Sequence, residues 1–286
     1  MRFKQLLKPE KFMKKHSSRA IFALLLVATI PAISWVSASK SHLKFFNSVI
    51  DEGGEKAKTS ANTNTSAELF VQHVNSVYEQ AGLAESGLNQ DVFKKALVGY
   101  YNLKKTQLLS TQKAVITIID FSIKSSQKRL WIVDLENNKL MFHTLVAHGQ
   151  GSGLDMATNF SNLPNSHQSS LGFYVTSDTY QGKHGLSMRL EGMDKGFNTN
   201  AMNRAVVIHG ADYVSESFVQ THGRLGRSHG CPALPTNLTK TIINVIKGQT
   251  CLFINGSEDK YNSNFLDQNV AISNFISTAN TVQASI

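Results

Sequence analysis

The chain has little cysteine: two residues in 286, Cys231 and Cys251. At most one disulfide can form, and a chain of this length buries a full core without such staples. There is no His-Glu-x-x-His and no Cys-x-x-Cys, so the usual zinc spacings are missing. Charged residues make up only 17%, against 41% hydrophobic, which excludes a disordered chain. The net charge of +9 suggests nucleic acid at first. But Arg2, Lys4, Lys8, Lys11, Lys14, Lys15 and Arg19 face only Glu10 in the first 19 residues. Beyond them no basic stripe interleaved with aromatics occurs, so a nucleic-acid partner is unsupported. No internal repeat is found.

That basic start leads into an uncharged run, Ala20 to Val36, followed by small residues at Ser37 and Ala38. A basic segment, an apolar segment and a small-residue exit read as a secretory signal cleaved after Ala38. The run is 17 residues long, just under the roughly 20 that a spanning helix needs. The other reading is an uncleaved anchor, which would hold the protein at the inner membrane. Both readings export the body to the periplasm or cell envelope. No cysteine lies at the exit, so a lipoprotein anchor is excluded. An oxidising compartment favours disulfides, yet Cys251 lies in the apolar run Thr-Cys-Leu-Phe-Ile, where a buried cysteine acts as a small hydrophobe.

Residues 39–66 end in a small, polar stretch and read as a linker. Residues 67–111 read as a helical region. Thr65 and Glu68 suggest a capping box, and Phe70, Val74, Val77 and Ala81 recur at helical spacing. A second stripe runs through Phe93, Leu97 and Tyr101. From residue 112 the pattern turns to short β-branched runs separated by glycine and asparagine. Asn137-Asn138 marks a hairpin. One short helix is expected between the cysteines, capped by Thr236 or Asn237. The expected fold is mainly β, a sandwich or barrel with a few helices, preceded by the small helical region. The aperiodic stretch 148–170 is too long for a mere connection and reads as functional.

Chemistry concentrates late in the chain. A β-branched run delivers His209, and 22 residues on comes Cys231, within Ser228-His229-Gly230-Cys231. A cysteine is a nucleophile only as its thiolate, so it needs a nearby base or positive group. Histidine is the usual partner, and this window holds His209, His222 and His229. Gly230 permits a sharp turn and close approach of a substrate. Backbone N–H groups at such a turn can hold an oxyanion. Pro232 has no N–H, so donors would come from Cys231, Gly230 or His229.

The wording Ile-His-Gly followed by Ser-His-Gly-Cys resembles the signature of the YkuD-type L,D-transpeptidases. Ser169 to Asp178 resembles the stretch that precedes the site in that family. The resemblance covers about residues 112–256 and is nearest to the subgroup with the ending Gly-Arg-Leu-Gly-Arg-Ser-x-Gly-Cys-Pro-Ala-Leu-Pro. It implies an L,D-transpeptidase catalytic domain over 112–256, with 257–286 as a C-terminal tail, acting on peptidoglycan stem peptides. Cys231 matches the nucleophile, His209 the general base, and the Gly210 carbonyl the group that orients it. His229 fills a position that the family does not fix as histidine. Ser228 and Gly230 match the turn beside the substrate. The resemblance also implies carbapenems as covalent inhibitors, and no cofactor or metal.

Two departures stand out. The His209–Cys231 gap is longer than in most relatives, and Pro232-Ala233 follows the cysteine. The carboxylate-binding arginine is therefore open among Arg224, Arg227 and Arg189, since a guanidinium fork suits a carboxylate. His143 reads as structural. His148, His167, His184 and His222 read as loop residues that could line a cleft. Three alternatives remain: an L,D-carboxypeptidase, in which water takes the acyl group; a non-catalytic wall-binding module; and a zinc site on His209, His222, His229 and Cys231.

Overall fold

The computed structural model describes residues 58–284, with side chains described from 65 to 278. The basic segment and apolar run at the start lie outside the described residues. No helix among the described residues is long and apolar enough to cross a membrane.

Two helices come first, α1 (Lys58–Gln80) and α2 (Gln90–Lys105). Eight strands follow: β1 (Val115–Asp120), β2 (Leu130–Asp134), β3 (Lys139–Thr144), β4 (Gly172–Gly182), β5 (Gly185–Gly192), β6 (Val207–Gly210), β7 (Ala233–Leu234) and β8 (Cys251–Asn255). Three more helices are interspersed or appended: α3 (Glu216–His222), α4 (Thr236–Ile246) and α5 (Gln268–Ala284). The strands form one curled sheet in the order β3-β2-β1-β8-β4-β5-β6-β7. The fold is thus mainly β, as the pattern of short apolar runs predicts. β1 pairs in parallel with β8, and β6 with β7; the other neighbours are antiparallel.

Strands β1, β2 and β8 are mostly apolar and buried along nearly their whole length because both faces are covered. Successive side chains alternate sides. On β2, Trp131 and Val133 face one core while Leu130 and Ile132 face the other. On β8, Cys251 and Phe253 join the first, Leu252 and Ile254 the second. The first core is closed by α1, α2 and α5 through Phe70, Phe93, Leu97 and Phe275. The second is closed by α4 through Ile242, Ile243 and Ile246. Fully burying one such large side chain stabilises by about 1.5–3 kcal/mol. Helix α2 comes so near the sheet that a Cβ on Gly99 would clash with the edge of the Phe173 ring, 2.0 Å from two of its carbons.

The Asn137-Asn138 turn joins β2 and β3 as expected, with Asn138 at a φ of 49°. The two cap expectations fail. Thr65 lies inside α1, which already runs from Lys58. Pro235 is the N-cap of α4 and makes no side-chain cap, so Thr236 is already helical. Proline fixes φ and ends the preceding strand, which moves the start of the helix back by one residue.

Candidate active site

The parallel rung between β6 and β7 sets His209 opposite Ala233 and Gly210 opposite Leu234. Cys231, two residues ahead of Ala233, therefore arrives beside Val207. The Val207 N–H donates to its sulfur at 3.4 Å, and the thiol donates to the Ala205 carbonyl at 3.6 Å. Among the described residues these are the thiol's hydrogen-bond partners, and His209 is not one of them. The thiol is half-buried. Burial pushes its pKa up, partly opposed by the Val207 N–H and the Arg204 charge. Cys251 is free as well and fully buried.

His209 is 5% exposed. Its Nδ1 lies 2.9 Å from the Gly210 carbonyl. A carbonyl only accepts, so the Nδ1 carries the proton and the Nε2 keeps its lone pair. Burial pushes the imidazole below its ordinary value; the Gly210 carbonyl pulls it back, and His184 adds to the fall. Both shifts favour an uncharged thiol and an uncharged imidazole over an ion pair.

The turn before the thiol is held from within. Ser228 Oγ donates to the Cys231 carbonyl at 2.6 Å and accepts the Gly230 N–H at 3.0 Å. Gly230 has a φ of 122°, a region open to glycine. A Cβ there would meet the Gln168 carbonyl at 2.8 Å and Arg204 Nη2 at 3.2 Å. With the Gly230 N–H engaged and Pro232 without one, the nucleophile's own N–H is a donor still available. Among the described residues it reaches no acceptor.

The stretch 148–170 forms the wall of the site. Arg204 pins it with four hydrogen bonds: Nη1 to the Ser161 carbonyl at 2.6 Å and Ser170 Oγ at 2.5 Å, Nη2 to the Gln168 carbonyl at 2.6 Å and Ser166 Oγ at 3.2 Å. Arg227 donates to the carbonyls of Gln150 and Gly153 at 3.2 and 2.8 Å. Beneath lies a buried pair. Arg129 Nη2 meets His148 Nδ1 at 2.7 Å, and since guanidinium only donates, that nitrogen accepts. Burial and Arg129 push His148 down to about 4. Arg129 also holds the carbonyls of Val146 and Ile123, so the pair braces the segment after β3 that delivers Gly149 against Gly230.

The expected site residues separate into groups. Cys231, His209, Gly210 and Gly230 come together. Ser228 is 6% exposed and its hydroxyl is engaged within the turn, so it shapes the turn and does not face a substrate. His229 is exposed and stacks on His167 at 4.3 Å; among the described residues it has no bond to the thiol or to His209. Arg224 folds onto the Leu225 carbonyl at 2.7 Å, Arg227 holds the wall, and Arg189 lies over the Tyr180 ring. None of the three is a free fork beside the thiol, because each is engaged locally. His143 stacks on Trp131 and His222 on Phe218. Among the described residues no group of three or more histidines, cysteines or acids could hold a metal ion. Arg204, five residues before His209, was not legible as a site residue, since a lone arginine ahead of a strand carries no spacing signal.

A mainly β domain with a thiol and an imidazole brought together at one end of a curled sheet defines the L,D-transpeptidase class of fold. The chain belongs to the family of L,D-transpeptidase catalytic domains, whose family model matches residues 84–255. Solved structures similar to it include an L,D-transpeptidase from Mycobacterium smegmatis, at 11% identity and a TM-score of 0.31, covering 50% of this chain and 58% of that one. The L,D-transpeptidase LdtMt1 in complex with imipenem shows 12% identity and a TM-score of 0.31, with 50% and 59% covered. The helical cell shape determining protein Pgp2 from Campylobacter jejuni shows 12% and 0.36, with 65% of each chain covered. This chain thus spans 58% and 59% of the first two. No curated protein matches it.

Proposed function

We propose that the protein is an exported peptidoglycan L,D-transpeptidase that works through a Cys231 acyl-enzyme. The observation that carries this reading is the β6–β7 rung, which brings the thiol against Val207, two residues from a neutral imidazole with a free Nε2. The site starts as thiol and neutral base. A donor stem seated beside Cys231 brings its carbonyl carbon to the sulfur. His209 moves into reach and takes the thiol proton as the C–S bond forms. The carbonyl oxygen becomes an oxyanion facing the Cys231 N–H. Collapse breaks the C–N bond, and the imidazolium returns its proton to the departing D-alanine amine. The thioester remains. An acceptor amine then attacks it, loses a proton to His209, and the thiolate leaves and is reprotonated.

Support for the cell-envelope setting comes from the basic segment and apolar run in residues 1–38. The family supports the substrate class. The resemblance of Ile-His-Gly and Ser-His-Gly-Cys to the family signature implies that a carbapenem acylates Cys231.

The deciding experiment incubates the purified protein with a disaccharide-tetrapeptide and reads the products by mass spectrometry, with Cys231→Ala alongside. A cross-linked dimer short of one D-alanine, absent in the variant, establishes the transpeptidase. Tripeptide without dimer assigns the acyl group to water and makes the protein an L,D-carboxypeptidase. No product from either protein would sink the catalytic reading and leave a wall-binding module.

A further inference from the structure

The β4–β5 hairpin turns at Gly182-Lys183-His184-Gly185, with Gly185 at a φ of 73°. The turn is exposed, and nothing in its geometry calls for an imidazole, since such turns favour glycine, asparagine and aspartate. Yet the His184 ring does not extend into solvent alone. It lies against His209, with ring centroids 4.6 Å apart and planes tilted by 32°. An exposed histidine and a nearly buried one therefore meet as a tilted ring pair, from two different elements.

We infer that His184 is a positioning residue: its ring packs against that of His209 and favours the neutral form of this base. This rests on His209 being the base of the proposed function. Two imidazoles in contact resist carrying charge together. The neighbouring imidazole therefore opposes protonation of His209. Other groups around His209 do not supply this effect. The Gly210 carbonyl acts in the opposite direction, Thr239 of α4 lies against Gly210 and does not titrate in this range, and Cys231 rests as a neutral thiol. Among the described residues His184 is the titratable group that acts on His209. Keeping His209 neutral matters to the chemistry, since an imidazole already protonated at rest has no lone pair for the thiol proton.

The test uses the full chain with labelled histidine, as wild type and as His184→Phe. Phenylalanine keeps an aromatic face on His209 and cannot be charged. The His209 ring is titrated by NMR, and carbapenem acylation of Cys231 is followed across pH. In the variant both the His209 titration and the acid limb of acylation should move to higher pH by the same amount. The plateau rate should stay within about threefold of wild type, a barrier change below about 1 kcal/mol. An unmoved His209 titration in a variant that melts like wild type overturns the inference. So does a uniform loss of rate at every pH with the limb in place, which is what a merely structural contact would give. If no carbapenem acylates the wild type, the proposed function is in trouble, but the NMR titration still decides the role of His184.

Discussion

Arg204 offers the sharpest test of how the site is built, because it does two separable things. Its fork makes four hydrogen bonds to the wall, at 2.5 to 3.2 Å, and its charge bears on the thiol. A hydrogen bond from a charged donor is worth about 1.5–3 kcal/mol net. Arg204 is only half-buried, so solvent screening and replacement water reduce the sum. The loss for Arg204→Ala should be about 2–4 kcal/mol, which in a body of this size lowers the melting temperature by about 4–16 °C. Loss of the cation leaves burial opposed by the Val207 N–H alone, so the thiol titrates higher and alkylates more slowly at neutral pH. Arg204→Lys separates the two roles. A lysine restores a point charge without the planar fork, so thiol reactivity should return toward wild type while much of the lost stability does not. The assays are thermal unfolding and the rate of iodoacetamide alkylation against pH. If Arg204→Ala melts within 1 °C or so of wild type and alkylates at the wild-type rate, the loop is held by something else and the reasoning is wrong.

Three further outcomes follow from the geometry. Alkylation of Cys231 in the wild type should rise with pH to a midpoint above the ordinary cysteine value, because burial disfavours the thiolate; a midpoint near neutrality would show a resting ion pair instead. Acylation by a carbapenem should hold below the ordinary histidine range and fall only as the pH drops through the depressed value of His209, since it is protonation of that base that removes activity. Gly99→Ala tests packing against propensity. Alanine is favoured in a helix by about 1 kcal/mol, but its Cβ would clash with the edge of the Phe173 ring, and overpacking costs about 1–3 kcal/mol. The variant should melt lower while Cys231 alkylates normally, and a higher melting temperature would show that α2 can shift away from the sheet.

What was legible in the sequence follows from what kind of interaction encodes each part. The strands could be read because both faces are covered, and that demand leaves apolar runs such as Cys251–Ile254. The short helix α4 could be read from its own apolar stripe. Cys231 and His209 stood out because a glycine-flanked cysteine after a His-Gly has few structural reasons to exist. The parts that were missed are set by contacts distant in sequence. Helix α5 carries Asn, Ser, Thr and β-branched residues, which are weak helix formers. It is ordered by Ala271 and Phe275 against α1 and α2, as tertiary packing sustains most helices. His229 was drawn toward the catalytic centre by its place in the motif, but the φ of Gly230 and the Ser228 hydroxyl turn the chain so that its ring meets His167 instead. The two groups that do bear on the thiol and the base, Arg204 and His184, come from a loop and a hairpin tip whose local sequence needs neither residue. A charged side chain at a turn is ordinary in isolation. It acquires a role only when the curled sheet brings that turn over β6, so the electrostatics of this site belong to the fold and not to the motif.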